Sequence, residues 1–230
     1  RLGGNLIPGG TPDFKEDDLA LAEWYAHTLN ELGVKVFLNT EITAEDLKKM
    51  DFDAYIFATG SVPKMLPIGD DSVTFTAAQV LLGEKDPGEN VIVVGGGLVG
   101  CETALWLADN GKNVTIVEAL DRLLAVNAPL CHANSEMLEA LIPYKGIKVL
   151  CKHTVANVKK GAAVVKNLET CEEVELKADS VVLCVGYNSN SGLFESVRNL
   201  PGEVYLIGDA RNVANIHNAI WDAFEVASNI

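Results

Sequence analysis

Residues 91–118 read VIVVGGGLVGCETALWLADNGKNVTIVE. Val91–Val94 is a short apolar run that predicts a buried strand. Gly95, Gly97 and Gly100 follow in GxGxxG spacing, residues 98–109 carry a helical pattern, and 113–118 predict a second strand that ends in Glu118. A lone GxGxxG is a weak signal. Here it leaves a strand, opens a helix and is followed by an acidic residue eighteen positions after Gly100, which is the context that gives the pattern a mechanism. Gly95 permits a tight turn, Gly97 allows a pyrophosphate to approach the backbone, and Gly100 lets helix and strand pack closely.

The first helical turn offers N–H groups without intrahelical acceptors and the positive end of the helix dipole. Gly95, Gly96, Gly97, Leu98, Val99 and Gly100 are therefore the candidate phosphate cradle. Glu118 is placed to accept hydrogen bonds from the adenosine ribose, and its charge would repel a 2′-phosphate, so NADH is favoured over NADPH. Arg122 lies near enough in sequence to leave that preference open. Glu102 sits early in the helix and either complements its dipole or faces the nicotinamide. Gly186, which closes the strand-like run SVVLCVG (180–186), is a further candidate on the dinucleotide side. The bland alternative is a β–α–β unit whose glycines serve packing alone. Cys101 reads as a small residue packed between helix and sheet.

The remainder of the chain sets the context. Its 230 residues are 48% hydrophobic and 22% charged, enough for one large or two small globular domains. The formal net charge of -14 disfavours nucleic acid as a partner. No run approaches the ~18 apolar residues of a membrane span, and no signal-peptide pattern opens the chain. Five cysteines, at 101, 131, 151, 171 and 184, form no CxxC pair, which argues against a disulfide scaffold, a zinc site or a redox dithiol. A reducing, cytoplasmic setting follows. The four histidines have no metal-ligand spacing, so no metal site and no catalytic side chain are assigned.

Before the fingerprint, the spacing of Leu19, Ala22, Tyr25, Leu29 and Leu32 predicts a helix stopped by Gly33. VKVFLN (34–39) predicts a strand, TAEDLKKM a short helix, DAYIFATG (53–60) a buried strand, and Thr76 caps a short helix through Leu82. Glu84–Asn90 reads as a polar connector and YNSNSG as a polar turn. After the fingerprint come a helix near 134–141, a strand at 147–151, an antiparallel meander over 155–176, a strand VYLIGD (204–209) and a final amphipathic helix. Trp24, Trp106 and Trp221 fall on helical faces and are expected to pack, and His217 to lie at the surface or just behind the site. The alternation of strand and helix makes this an α/β fold with parallel sheet.

Three further fragments belong together: Leu2-Gly3-Gly4, Ala58-Thr59-Gly60 and Gly208-Asp209. With GGNLIPGGTPDF, ATGSVPKMLPI, the fingerprint and IGDARN…AIWDAFEVA, they resemble the two-dinucleotide flavoproteins, and within these the C-terminal region of NADH:flavin oxidoreductases of the 2,4-dienoyl-CoA reductase and 2-enoate reductase type, which are related to old yellow enzyme. The resemblance spans nearly the whole chain. It implies a Rossmann-like NAD(P)-binding domain (89–186) inserted into a partial FAD-binding domain of the same type (1–88, with 187–230 as the return segment). It implies that Gly3, Gly4, Thr59, Gly60, Gly208 and Asp209 contact FAD, with Asp209 holding ribitol or pyrophosphate-side hydroxyls and the helix beginning near Asn215 aimed at the flavin ring. It also implies an N-terminal barrel carrying FMN and a 4Fe–4S cluster, outside this sequence, as the partner that receives the electrons. The expected function is electron entry: NADH binds and its hydride passes to FAD, for eventual reduction of an enoate- or enoyl-type substrate. The competing class is a nucleotide-binding structural module that passes no electrons. A stand-alone disulfide reductase is disfavoured by the missing CxxC.

No second GxGxxG occurs, so the chain, which opens RLGG, is expected to be a fragment. Backbone amides at a helix N-terminus are hard to replace as pyrophosphate ligands. The purified 230-residue chain is therefore expected to bind NADH but hold FAD poorly, and to show some homo-oligomerisation through an exposed sheet edge. An absorbance spectrum after incubation with FAD and desalting checks this; a stoichiometric flavin band would refute it.

Overall fold

The computed structural model describes residues 1–125 and 131–230. In chain order its elements are α1 (Leu6–Gly9), α2 (Glu16–Glu31), α3 (Ala44–Leu47), β1 (Ala54–Phe57), β2 (Ser61–Pro63), β3 (Thr74–Thr76), α4 (Ala77–Leu81), β4 (Asn90–Val94), α5 (Leu98–Asp109), β5 (Asn113–Glu118), α6 (His132–Tyr144), β6 (Lys148–Cys151), β7 (His153–Lys159), β8 (Gly161–Asn167), β9 (Glu173–Ala178), β10 (Ser180–Leu183), β11 (Tyr187–Ser189), α7 (Gly192–Val197), β12 (Glu203–Leu206) and α8 (Ile216–Ala227). The chain divides into two compact units: residues 1–5, 23–63 and 187–230 form one, and residues 6–22 and 64–186 the other. Among the described residues no helix is long and apolar enough to cross a membrane, and no group of His, Cys, Asp and Glu side chains could hold a metal ion.

The unit of 6–22 and 64–186 is built on a parallel sheet in the order β3-β10-β4-β5-β6. Its central strands are apolar on both faces because both faces are covered. Val91 and Val93 of β4, Val114 and Ile116 of β5 and Val182 of β10 face one core, shared with α4, α5 and α6. Ile92, Val94, Val117, Val181 and Leu183 face another, shared with the antiparallel sheet β7-β8-β9. The alternation is the period-two geometry of a strand. α4 starts at the expected cap: Thr76 accepts from the Gln79 amide while the Gln79 side chain accepts from the Thr76 amide.

The break between the units falls at 63/64 rather than at the polar connector 84–90. The reason is pairing. β3 adds to β10 as an edge strand and carries α4 with it, while α1 packs against α4, so 64–88 and 6–22 belong to the fingerprint's unit. Sequence pattern identifies β3 and α4 locally but says nothing of which sheet they join.

In the other unit, β1 and β12 pair in parallel, and Tyr55, Phe57, Leu47 and Val197 form a small core with α3 and α7. α2 ends as expected. Gly33 takes φ +67, its amide bonds the Asn30 carbonyl, and the Val34 amide bonds the Leu29 carbonyl. Three expectations fail here. Residues 34–39 form no strand, and Phe37 is 75% exposed. The β pattern is present, but a strand needs a neighbour, and none pairs with it among the described residues. Conversely, the polar turn after Gly186 contains β11, which pairs antiparallel with β2 in a segment expected to be irregular. Pro63 is tolerated because the ribbon has only two strands, so each has a free edge. Trp24 and Trp221, expected to pack, are 57% and 52% exposed and lean on Tyr25 and on His217 and Phe224. Trp106 does pack, against the α-side core.

Ile116 lies at the middle of β5 with no exposed surface. Ile116→Ala is expected to destabilise its unit by about 2–5 kcal/mol through lost burial plus a cavity. Denaturant unfolding measures it, and a loss well under 1 kcal/mol would contradict the assigned core.

Candidate dinucleotide site

The glycine loop between β4 and α5 is held by contacts that only glycine permits. Gly95 has φ +103, and a Cβ there would lie 2.5 Å from the Cys184 carbonyl oxygen. A Cβ at Gly100 would lie 1.8 Å from the Gly95 carbonyl oxygen. Both neighbours are backbone, so nothing can rotate away. A Cβ at Gly96 would meet Leu123 at 2.4 Å and the Glu118 carboxylate at 3.1 Å. Gly97 is the residue before α5, with φ -75 and ψ -172, and its carbonyl accepts from the Cys101 amide. Leu98, Val99 and Gly100 then supply the amides of the first turn, which have no acceptor inside the helix. No side chain caps this terminus. These features fit a phosphate-binding cradle.

Glu118 ends β5 beside the loop and is only 8% exposed. One carboxylate oxygen accepts from the Gly96 amide, and the other from the Leu120 amide at 2.7 Å. A carboxylate has about four acceptor positions, so two amide donors leave lone pairs on Glu118 free for further donors. Glu118 fastens the loop, a role that spacing did not reveal. The segment after β5 adds to this: the Leu124 amide donates to the Gly96 carbonyl at 2.8 Å, with Leu124 itself at φ +55. Arg122 is exposed. The rest of the segment toward α6 includes residues outside those described.

Glu102 lies one turn into α5 and is 8% exposed. Its carboxylate accepts from Lys15 Nζ at 3.1 Å, and Lys15 also lies 3.5 Å from Asp18. Burial raises the Glu102 pKa above the usual carboxylate range, and the Lys15 charge and hydrogen bond oppose that rise. Lys15 carried no signal in the sequence. Burial pushes the Cys101 thiol up to about 12, which leaves it a packed, unreactive group donating to the Gly96 carbonyl. Gly186 follows β10 at φ +93, is exposed, and accepts from the Lys64 amide at 2.9 Å.

In the other unit the second residue set comes together. Thr59 and Gly60 follow β1, and Gly60 has φ +70. The Asn190 amide donates to the Gly60 carbonyl at 2.9 Å, and the Thr59 hydroxyl donates to the Asn190 carbonyl. Asp209 accepts from the Ser61 hydroxyl at 2.9 Å and the Ala214 amide at 3.1 Å. Gly208, at φ +59, donates its amide to Asp222 at 3.0 Å. Asn5, next to Gly3 and Gly4 (φ +104 and +48), donates to the Ser61 carbonyl at 3.2 Å. α8 starts with Asn215, whose side chain accepts from the Asn218 amide. Ser61 and Asn190 were missed by the sequence reading. Ser61 adjoins Gly60 and could have been found by position; Asn190 could not.

Comparison with known proteins supplies independent findings. The family model described as pyridine nucleotide-disulphide oxidoreductase matches residues 25–223. Cinnamate reductase of Clostridium sporogenes is 47% identical over 229 residues, which is 100% of this chain and 34% of the relative. An NADH oxidase of Thermoanaerobacter brockii is 31% identical over 237 residues, covering 100% of this chain and 36% of the relative. Among solved structures, 2-naphthoyl-CoA reductase in complex with 2-naphthoyl-CoA aligns with a TM-score of 0.89 at 25% identity, over 99% of this chain and 34% of that one. The chain spans about a third of the length of these proteins.

Gly100→Ala tests the loop directly. The added methyl meets a carbonyl oxygen of fixed backbone, so the helix must move off the strand. The expected cost is about 3 kcal/mol or more, at the upper end of overpacking, together with loss of measurable NADH binding. Thermal melting and fluorescence titration read the two effects; an unaltered melting curve would contradict the contact.

Proposed function

The chain belongs to the pyridine nucleotide-disulphide oxidoreductase family, and from that premise we propose that it is the electron-entry module of an NADH-dependent flavoprotein oxidoreductase. The observation that carries the reading is the glycine loop: a strand-to-helix turn closed by Gly95 and Gly100, uncapped by any side chain, with the Glu118 carboxylate fastened beside it. In this reading Gly95–Gly100 receive the pyrophosphate, Glu118 the adenosine ribose, and Glu102 and Gly186 lie toward the nicotinamide. Thr59, Gly60, Gly208, Asp209, Gly3 and Gly4 belong to the FAD side. The division of the chain into two compact units supports an NADH-binding domain within a split FAD-binding domain, with 6–22 and 64–88 joining the former.

When bound, the nicotinamide supplies a hydride and the flavin accepts it. The residues of this chain need only bind, orient and exclude water. The first turn of α5 places positive potential against phosphate. Glu118, buried and held by two backbone amides, selects hydroxyls over a 2′-phosphate. Asp209 accepts hydrogen bonds and fixes the turn that leads into α8. No side chain is assigned acid or base work. The likeness to cinnamate reductase and to 2-naphthoyl-CoA reductase supports an enoate- or enoyl-type acceptor, reduced by a part of the enzyme beyond these residues.

Glu118→Ala is expected to weaken NADH binding by about 1–2 kcal/mol, the scale of hydrogen bonds to a charged group, and to narrow the gap to NADPH. Calorimetric titration of both cofactors measures this. NADPH binding as tight as NADH by the unsubstituted chain would remove Glu118 from its role. In the intact enzyme, anaerobic mixing with NADH should bleach the flavin within a turnover; a flavin that stays oxidised would favour the structural-module alternative.

A further inference from the structure

After β10 the chain runs from Cys184 to Gly186, and a lysine from far earlier in the sequence lies against it. The Lys64 amide donates to the Gly186 carbonyl at 2.9 Å, one residue beyond the Pro63–Tyr187 pair. The side chain lies along the same residue. The point where a Cβ would stand at Gly186 is 3.9 Å from Lys64 Nζ and 4.0 Å from its Cδ. Lys64 is exposed, and among the described residues its ammonium forms no ion pair. Both residues belong to the unit that carries the glycine loop.

The sheet order says where this ammonium stands relative to a bound dinucleotide. The glycine loop leaves β4, which lies between β10 and β5. Glu118 ends β5, so the adenosine ribose belongs on the β5 side. A dinucleotide with its pyrophosphate on the first turn of α5 therefore extends its other half toward β10. On that side a Cβ at Gly95 would lie 2.5 Å from the Cys184 carbonyl oxygen, and Gly186 is two residues further on. Steps of about 3.8 Å between consecutive Cα atoms keep Gly186 within about 8 Å of Cys184. Lys64 thus flanks the loop on the side away from Glu118. The buried Glu102 carboxylate is already offset by Lys15 at 3.1 Å, so that pair adds little net charge.

This end of the dinucleotide is where its charge changes. The reduced nicotinamide ring is neutral, and the oxidised ring is a pyridinium with one positive charge. A cation beside the ring repels the oxidised form and leaves the reduced form untouched. We infer that Lys64 makes the site discriminate between the two redox states of the dinucleotide, weakening NAD+ relative to NADH. The inference rests on the NADH-binding reading above. It gives the segment after β2 a role in shedding the oxidised cofactor: a ring that has given up its hydride meets a repulsion that its reduced form did not, and its departure frees the site for the next NADH. The fingerprint assigns no such role to any residue outside it.

The test titrates the 230-residue chain, Lys64→Met, Lys64→Arg and Lys64→Glu with NADH, NAD+ and ADP, the last of which carries adenosine and pyrophosphate but no nicotinamide. The side chain is exposed and its structural hydrogen bond is made by the backbone amide, so all four chains should melt alike. Lys64→Met should lower the ratio of NADH to NAD+ affinity by about threefold, the scale of two unit charges roughly 7 Å apart at a water-like dielectric. Lys64→Glu should lower it by about tenfold, and Lys64→Arg should keep it within about twofold. Raising the salt to about 1 M, where the Debye length is about 3 Å, should erase the differences among the four chains. An NADH-to-NAD+ ratio unchanged in Lys64→Met overturns the inference. So does an equal loss for all three nucleotides, which would place the ammonium on the pyrophosphate, and so does a shift that salt leaves intact, which would mean packing. If the unsubstituted chain bound none of the three, the NADH reading itself would fall and this inference with it, an outcome distinct from an unchanged ratio.

Discussion

The contact between Gly100 and the Gly95 carbonyl is the constraint on which the dinucleotide unit depends. A methyl group at Gly100 would stand 1.8 Å from that oxygen, inside any van der Waals limit. The helix can therefore start directly against the end of β4, and its first amides converge on the space above the sheet. The same closeness brings Cys101 and Ala104 into the core with no exposed surface. Core packing and the placement of the first α5 amides are one geometry. A helix displaced by a side chain at Gly100 would lose both.

From that junction the sheet extends by pairing. β5 and β10 flank β4, and each places alternate apolar residues on the two faces. Helices cover one face and a three-stranded antiparallel sheet the other, so little of the central strands meets water. This double coverage explains why the central strands read as unbroken Val and Ile runs instead of alternating patterns. It also raises the requirement on any polar group admitted nearby.

Three carboxylates near the two sites meet that requirement in different ways. Glu118 is held by two backbone amides, Glu102 by a lysine, and Asp209 by a hydroxyl and an amide. In a chain with net charge -14, anionic groups are plentiful, but those beside the glycine loop and the β12–α8 turn have fixed partners. Fixed partners hold a carboxylate in one orientation, which preorganises its remaining lone pairs.

What the sequence by itself determined is the local part. The β4–α5–β5 unit, the Thr76 cap, the Gly33 stop and the antiparallel strands after β6 were legible because their signals are periodicity, caps and glycines within a few residues. The likeness to a flavoprotein family was legible from short quoted motifs, and the family match agrees with it. What only the tertiary structure decided is pairing at a distance. Residues 34–39 have strand character but no pairing neighbour among the described residues. β2 and β11 lack strand character but find each other across more than a hundred residues. β3 joins the fingerprint's sheet, and Lys15 reaches Glu102. Asp209 meets Ser61 from 148 residues away. A strand or an ion pair takes half its stabilisation from its partner, and a linear pattern carries the propensity of one side only.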